Sequence, residues 1–275
     1  KGKGKKIILV RGSAHIQKQE ALLKEEYKKI NVDFEIDNRI IQKELLEYKM
    51  ADFIDVPSKF AYNSFIEYGI NTQKLTINTL AIDKEFNSKK NALLHKTTYE
   101  KIRILYLGHL SIRKGIIYLL KAIEAISKQN TNIELWLVGG ITKELHDIVE
   151  KYKQYPFIKF FGHIPKEELN TVLTQCTIGV LPSIEDGFGQ VIPEMLSYGI
   201  PVIVTENCGG SDLIDDGQNG FLIPAQSSEA LVEKITYLFN REELKRMSIC
   251  ASKTVGRSFN WDHYGDKYVA FLKSL

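Results

Sequence analysis

Two carboxylates bracket a glycine-rich stretch, Asp186-Gly187-Phe188-Gly189-Gln190-Val191-Ile192-Pro193-Glu194, with seven residues between them. Glycines at 187 and 189 let a backbone come close to a ligand, and the residues that follow read as a helix. Its first N–H groups, from about Gly189 onward, are donors without intrahelical partners at the positive end of a dipole, which is a place for a phosphate. Asp186 and Glu194 can both reach a ligand held there, and carboxylates accept hydrogen bonds from sugar hydroxyls. Phosphate on backbone amides together with hydroxyls on carboxylates describes a nucleotide-sugar better than a bare nucleotide. The competing reading makes Asp186 a turn residue and Glu194 part of a solvated helix face, and spacing alone leaves both standing.

Two further clusters could do chemistry. In Gly108-His109-Leu110-Ser111-Ile112-Arg113-Lys114-Gly115, two cations stand just before a helix start, where a flexible ammonium can reach a diphosphate; without a ligand they are a surface charge pair. Arg11 and His15 lie at the end of the first apolar run, where a ligand cleft would open; His15 reads equally well as the start of the next helix. Cys208 sits beside a second glycine loop, Gly209-Gly210, but proximity alone does not make a nucleophile.

The elements that must position these residues follow from periodicity. Ile178 to Leu181 and Pro201 to Thr205 are apolar runs flanking the first stretch, so strand, loop, helix and strand form one turn of a parallel sheet. Such sheets bind ligands beyond the carboxyl ends of their strands. The same alternation starts at Ile102 to Leu107 and continues with a helix burying Ile116, Leu119, Leu120, Ile123 and Ile126. A strand at Ile133 to Val138 comes next, then a helix capped by Thr142, a strand at Phe157 to Phe161 and a helix from Pro165. Four or more such units imply a parallel sheet covered by helices on both faces, with right-handed crossovers. Ahead of it, strands at Ile7 to Val10, Phe53 to Val56 and Leu75 to Ile82 alternate with helices. One of these buries Ile16, Leu23, Tyr27 and Ile30; the next, capped by Asp37, buries Ile40, Ile41, Leu45 and Tyr48. That is too few strands for a complete doubly wound domain. A last helix, capped by Asn260, carries Trp261, Tyr264, Tyr268 and Leu272 on one stripe expected to be buried.

Composition narrows the classes. A chain of 275 residues holds one large or two ordinary domains, and 44% hydrophobic with 26% charged residues supports a buried core. A formal net charge of +3 gives no reason to expect nucleic acid as a partner. Lys1 to Lys6 reads as a solvated end. There is no run of eighteen apolar residues and no signal-peptide pattern. Cys176, Cys208 and Cys250 are scattered and odd in number, which points to a reducing cytoplasm rather than a disulfide frame or a zinc site; no metal and no cofactor is expected.

Asp186-Gly-Phe-Gly-Gln-Val-Ile-Pro-Glu194, followed by Gly199-Ile-Pro-Val-Ile, Gly209-Gly210 and Asp216-Gly-Gln-Asn-Gly-Phe-Leu-Ile, resembles the carboxylate-x7-carboxylate region of the retaining glycosyltransferases of family 4. The resemblance implies an α/β fold of GT-B architecture, with two Rossmann-like domains of which the N-terminal one is incomplete. Residues 1–90 would be the remnant of the acceptor-side domain, 91–258 the domain that binds the nucleotide-sugar donor, and 259–275 a helix crossing back to the first. The family usually has Glu where Asp186 stands. Asp186 matches the position that contacts the transferred sugar, and Glu194 the one that holds the donor ribose. Lys114 matches a lysine that grips the donor diphosphate; His109 stands where the family has an arginine, and Arg113 is the candidate to compensate. Gly162-His163-Ile164 resembles the loop that packs on the nucleotide base, and many members have a histidine near the position of Arg11 or His15 that faces the sugar. The implied reaction moves a sugar from a nucleotide-diphosphate donor to a hydroxyl of a glycan or lipid-linked acceptor, with retention of configuration and without a metal. The implied location is the cytoplasm, with peripheral contact to the inner face of the membrane left open. Two rivals are a catalytically impaired nucleotide-sugar-binding module and an epimerase or hydrolase of the same architecture.

Overall fold

The computed structural model describes residues 4–82, 101–130, 132–255 and 260–275, so the expected domain boundary between residues 90 and 91 lies outside the described residues. Two parallel sheets organise the rest. The first is small: β1 (Ile8–Val10), β2 (Phe53–Val56) and β3 (Leu75–Ile77), in that order. Its helices are α1 (Ile16–Lys29), α2 (Asn38–Met50) and α3 (Lys59–Glu67). Asp37 and Ser58 cap the last two by accepting from Arg39 and Ala61 amides, as short polar side chains do at helix starts. Ile16, Ile41, Tyr48, Ile54, Val56 and Phe65 form its core, while Ile40, expected inside, is half exposed.

The second sheet has six strands: β4 (Ile102–Leu107), β5 (Ile133–Val138), β6 (Ile158–Gly162), β7 (Ile178–Leu181), β8 (Val202–Thr205) and β9 (Gly220–Ile223). Their spatial order is β6-β5-β4-β7-β8-β9, all parallel. The chain winds outward one way from β4 and the other way from β7, which makes the loops after these two strands the switch point, the place where such sheets bind ligands. Both faces are covered, by α4 (Ile116–Ser127), α5 (His146–Tyr152), α6 (Lys166–Leu173), α7 (Val191–Ser197), α8 (Ser228–Tyr237) and α9 (Arg241–Thr254). That is why β5, β7 and β8 are almost continuously apolar and buried along their length.

Three expectations need correction. The apolar run Leu75 to Ile82 is a strand only to Ile77, because β2 offers it only Ile54, Asp55 and Val56 as partners; Ile82 runs on into the core of the second sheet and pairs with Asn260. Thr142 makes no helix cap; its hydroxyl donates instead to the Leu110 carbonyl, tying two loops together. The terminal helix, α10 (Trp261–Lys273), buries no residue fully, and Trp261 and Leu272 are exposed by 45% and 44%. Its inner face is centred on Tyr264, Tyr268 and Phe271, with Phe271 edge-on to Phe53 at 5.6 Å. A sheet three strands wide covers only a narrow band of one helix. Under that band lies Asp55, buried beside Asn78 with one carboxylate oxygen lacking a partner, and burial pushes its carboxyl up to about 7.

Candidate functional site

The loop after β4 is built to press against the loop after β7. Ile112 to Lys114 make one tight turn that ends at Gly115, whose φ of 69° belongs to the left-handed region. A Cβ there would fall 1.9 Å from the Pro182 carbonyl, so conformation and space both demand glycine. The amide of Ile184 donates to the Arg113 carbonyl at 2.8 Å, which sets the two loops in register. Side chains one residue apart then pair across them: Arg113 with Glu185 at 2.9 Å, and Lys114 with Asp186.

Asp186 does more than pair. Its other carboxylate oxygen accepts from the amides of Phe188 and Gly189, at 3.4 and 3.2 Å, closing a turn that an aspartate is short enough to make. Donors that the sequence offers to a phosphate are thus partly engaged within the loop. The Gly209 amide is likewise engaged, donating to the Asp186 carbonyl. Gly189 has a φ of 73° and sits over Cys208, Leu181 and Ile192. Burial and the nearby Asp186 carboxylate push the Cys208 thiol well up, so it carries no reactive thiolate. Val191 opens α7, Glu194 is half-buried in its first turn, and Gln190 sends its amide to the Ala81 carbonyl.

The remaining second-sheet residues share one edge. Gly108 takes a φ of 139°, and its carbonyl lies 1.9 Å from where a Cβ on Gly139 would stand. His109 is exposed, with its carbonyl bound by the Tyr106 hydroxyl at 2.7 Å. The Gly139 amide donates to the Gly162 carbonyl at 2.7 Å, and exposed His163 and half-buried Ile164 follow. The carboxyl ends of β6, β5, β4 and β7 therefore present these residues along one rim.

Arg11 and His15 lie on the first-domain side of the crevice. Arg11 pairs with Glu44 at 3.1 Å and donates to Gln19 at 3.3 Å. His15 is 1% exposed, stacked on Tyr68 at 4.7 Å and edged by Tyr48 and Phe65; its ring nitrogen caps α1 by accepting from Gln17. Burial, helped by the Arg11 charge, lowers its pKa to about 4 and keeps the ring neutral. The structure brings Lys114, Asp186 and Arg113 together and turns the His15 ring away into an aromatic box. Two residues not singled out by sequence, Glu185 and Ser58, complete the picture. Glu185 is fully buried and accepts from the Ala14 amide at 3.2 Å and the Gln19 side chain at 2.8 Å, besides pairing with Arg113. Ser58 donates to the Gly187 carbonyl at 2.7 Å, and a Cβ on Gly187 would lie 2.0 Å from the Gly12 carbonyl. Gly187 is thus glycine because the first domain touches it. A charged residue directly before the Asp186 loop was the one available signal for Glu185.

The sequence signature described as "Glycosyl transferases group 1" matches residues 85–254, well over half of the chain. The chain belongs to this glycosyltransferase family. The GT-B fold agrees: Anabaena HepE, solved with UDP and glucose, superposes with a TM-score of 0.76 over 98% of this chain and 72% of its own, at 18% identity. Sucrose-phosphate synthase from Thermosynechococcus elongatus gives 0.77 over 98% and 68%, at 20% identity. Among sequence relatives, the capsular polysaccharide biosynthesis glycosyltransferase CapM of Staphylococcus aureus is 27% identical over 68% of this chain and 51% of its own length. The amylovoran biosynthesis glycosyltransferase AmsK of Erwinia amylovora is 26% identical over 74% and 51%. This group 1 glycosyltransferase chain spans about half the length of the curated relatives it matches. Among its described residues, no helix is long and apolar enough to cross a membrane.

Proposed function

We propose that the six-stranded domain binds a nucleotide-diphosphate-sugar and that the protein transfers the sugar, with retention of configuration, to a hydroxyl of a glycan or lipid-linked acceptor. The observation that carries this is the Lys114–Asp186 pair, partly exposed at the rim where β4 and β7 diverge, on a chain of this family. Departure of the donor diphosphate develops negative charge, which an ammonium at its oxygens stabilises. Lys114 is that group. Asp186, which pairs with Lys114, is placed to receive a sugar hydroxyl when the ammonium turns to phosphate. Glu194 takes the ribose hydroxyls, and Gly162, His163 and Ile164 flank the base. The diphosphate itself accepts the proton of the attacking hydroxyl, so no side-chain nucleophile is required. The polysaccharide roles carried in the names of CapM and AmsK support the acceptor class.

The test is calorimetric titration with a panel of nucleoside diphosphates and their sugar conjugates. Saturable binding that discriminates among bases and is lost in Lys114→Ala and Glu194→Ala supports the reading. Base-independent binding untouched by both substitutions refutes it.

A further inference from the structure

Arg113 is held on Glu185. Its guanidinium makes three contacts through Nε and one terminal nitrogen: that terminal nitrogen pairs with the Glu185 carboxylate at 2.9 Å and donates to Ser13 Oγ at 3.3 Å, and Nε donates to the Glu185 carbonyl at 3.1 Å. The carboxylate it meets is 0% exposed, and both of its oxygens are bound by the first domain: one accepts the Ala14 amide, the other the Gln19 amide group. A fully buried carboxylate is tolerated only when paired and hydrogen-bonded. Of the three donors on Glu185, two come from residues of the first domain more than 160 positions away in sequence. Directly beside them a Cβ on Gly187 would fall 2.0 Å from the Gly12 carbonyl, so the two backbones are in contact.

We propose that Glu185 is a positioning residue: with Arg113 it forms a clasp that holds the 11–19 segment of the first domain against the donor loop, closing the crevice while Lys114 and Asp186, one residue further on, remain at the rim. The inference rests on the donor-site reading only for what the clasp serves; the clasp itself is a contact between domains. When the domains part, the carboxylate exchanges two protein donors for water, so its solvation opposes the contacts that close the crevice and keeps closure reversible. The pair contributes direction and register rather than a large net attraction.

The test uses the whole chain, comparing wild type with Glu185→Gln and Gln19→Ala. Amide hydrogen exchange reads the Ala14 N–H directly; loss of its charged acceptor should speed exchange there by about tenfold or more, with the α1 interior unchanged. Solution scattering should show a broader distance distribution for Glu185→Gln. Titration with UDP, GDP, ADP and CDP should give affinities within about threefold of wild type, because Lys114 and Asp186 stay on the second domain. Gln19→Ala, which strands no buried charge, should move exchange and scattering in the same direction by less. Unchanged exchange at Ala14 in both variants overturns the clasp. So does loss of nucleotide binding with a lowered melting temperature in both, which would make Glu185 a support for the loop alone. If the wild type binds none of the four nucleotides, the donor-site reading fails while exchange and scattering still decide the clasp.

Discussion

Two ion pairs join the same two loops, one residue apart, and they differ in their acids. In Arg113–Glu185 the acid is wholly buried with both carboxylate oxygens claimed, while the arginine keeps 35% of its exposure; in Lys114–Asp186 the side chains keep 22% and 13%. Neighbouring positions in sequence thus carry one acid locked by the distant 11–19 segment and one left beside a mobile ammonium. The division follows from chemistry: guanidinium is planar and satisfies several acceptors at fixed angles, while ammonium on four carbons can swing from one anion to another.

The comparison breaks most completely at Gly115, which presses the two loops together. Gly115→Ala, with a strained φ and a Cβ on the Pro182 carbonyl, should cost about 3 kcal/mol of stability by denaturant melt and disturb both pairs. Lys114→Ala attacks one pair only and should weaken nucleoside diphosphate binding by roughly fiftyfold in calorimetry while leaving the melt nearly unchanged. A third measurement bears on the wall side. The folded His15 pKa of about 4 lies below the usual 6.5, so the unfolded chain takes up the proton first. Stability from this group is therefore present above pH 6.5 and lost as pH falls toward 4, by about 1 to 2 kcal/mol at pH 5. Asp55, with its carboxyl raised to about 7, gives the opposite slope, favouring the fold as pH falls from 7 to 4. Melts of wild type and His15→Gln across that range isolate the histidine, since Asp55 is common to both. The smallest effect sharpens the contrast. Asp186→Asn keeps an oxygen for the Phe188 and Gly189 amides but releases Lys114, so nucleoside diphosphates should bind a few-fold more tightly, by less than about 1 kcal/mol.

How legible this was in the sequence varied with the range of the interaction. Alternating apolar runs and glycine loops from Ile102 onward prescribe a parallel sheet and the rim on which Lys114, Asp186 and Glu194 stand, because these signals are local. Glu185 gave only its charge and its place before the loop: its partners Ala14 and Gln19 are chosen by the docking of a distant segment, and no local period reports that. Gly187 was visible as a glycine that admits something closely, but the object admitted is the Gly12 backbone. Where an element was misjudged, width decided. The run Leu75 to Ile82 exceeds what a four-residue neighbour can pair, and the aromatic stripe of the last helix exceeds what three strands can cover.

The bridge between Ile82 and Asn260 has a mechanical meaning. Ile82 follows the small sheet and Asn260 opens the helix that packs on it, so this bridge ties the two elements together. Ser58 on Gly187, the Lys59 amide on Asp212 and the Glu185 contacts tie the same two sheets elsewhere. The sheets therefore meet along a seam stitched at several points rather than at a single hinge.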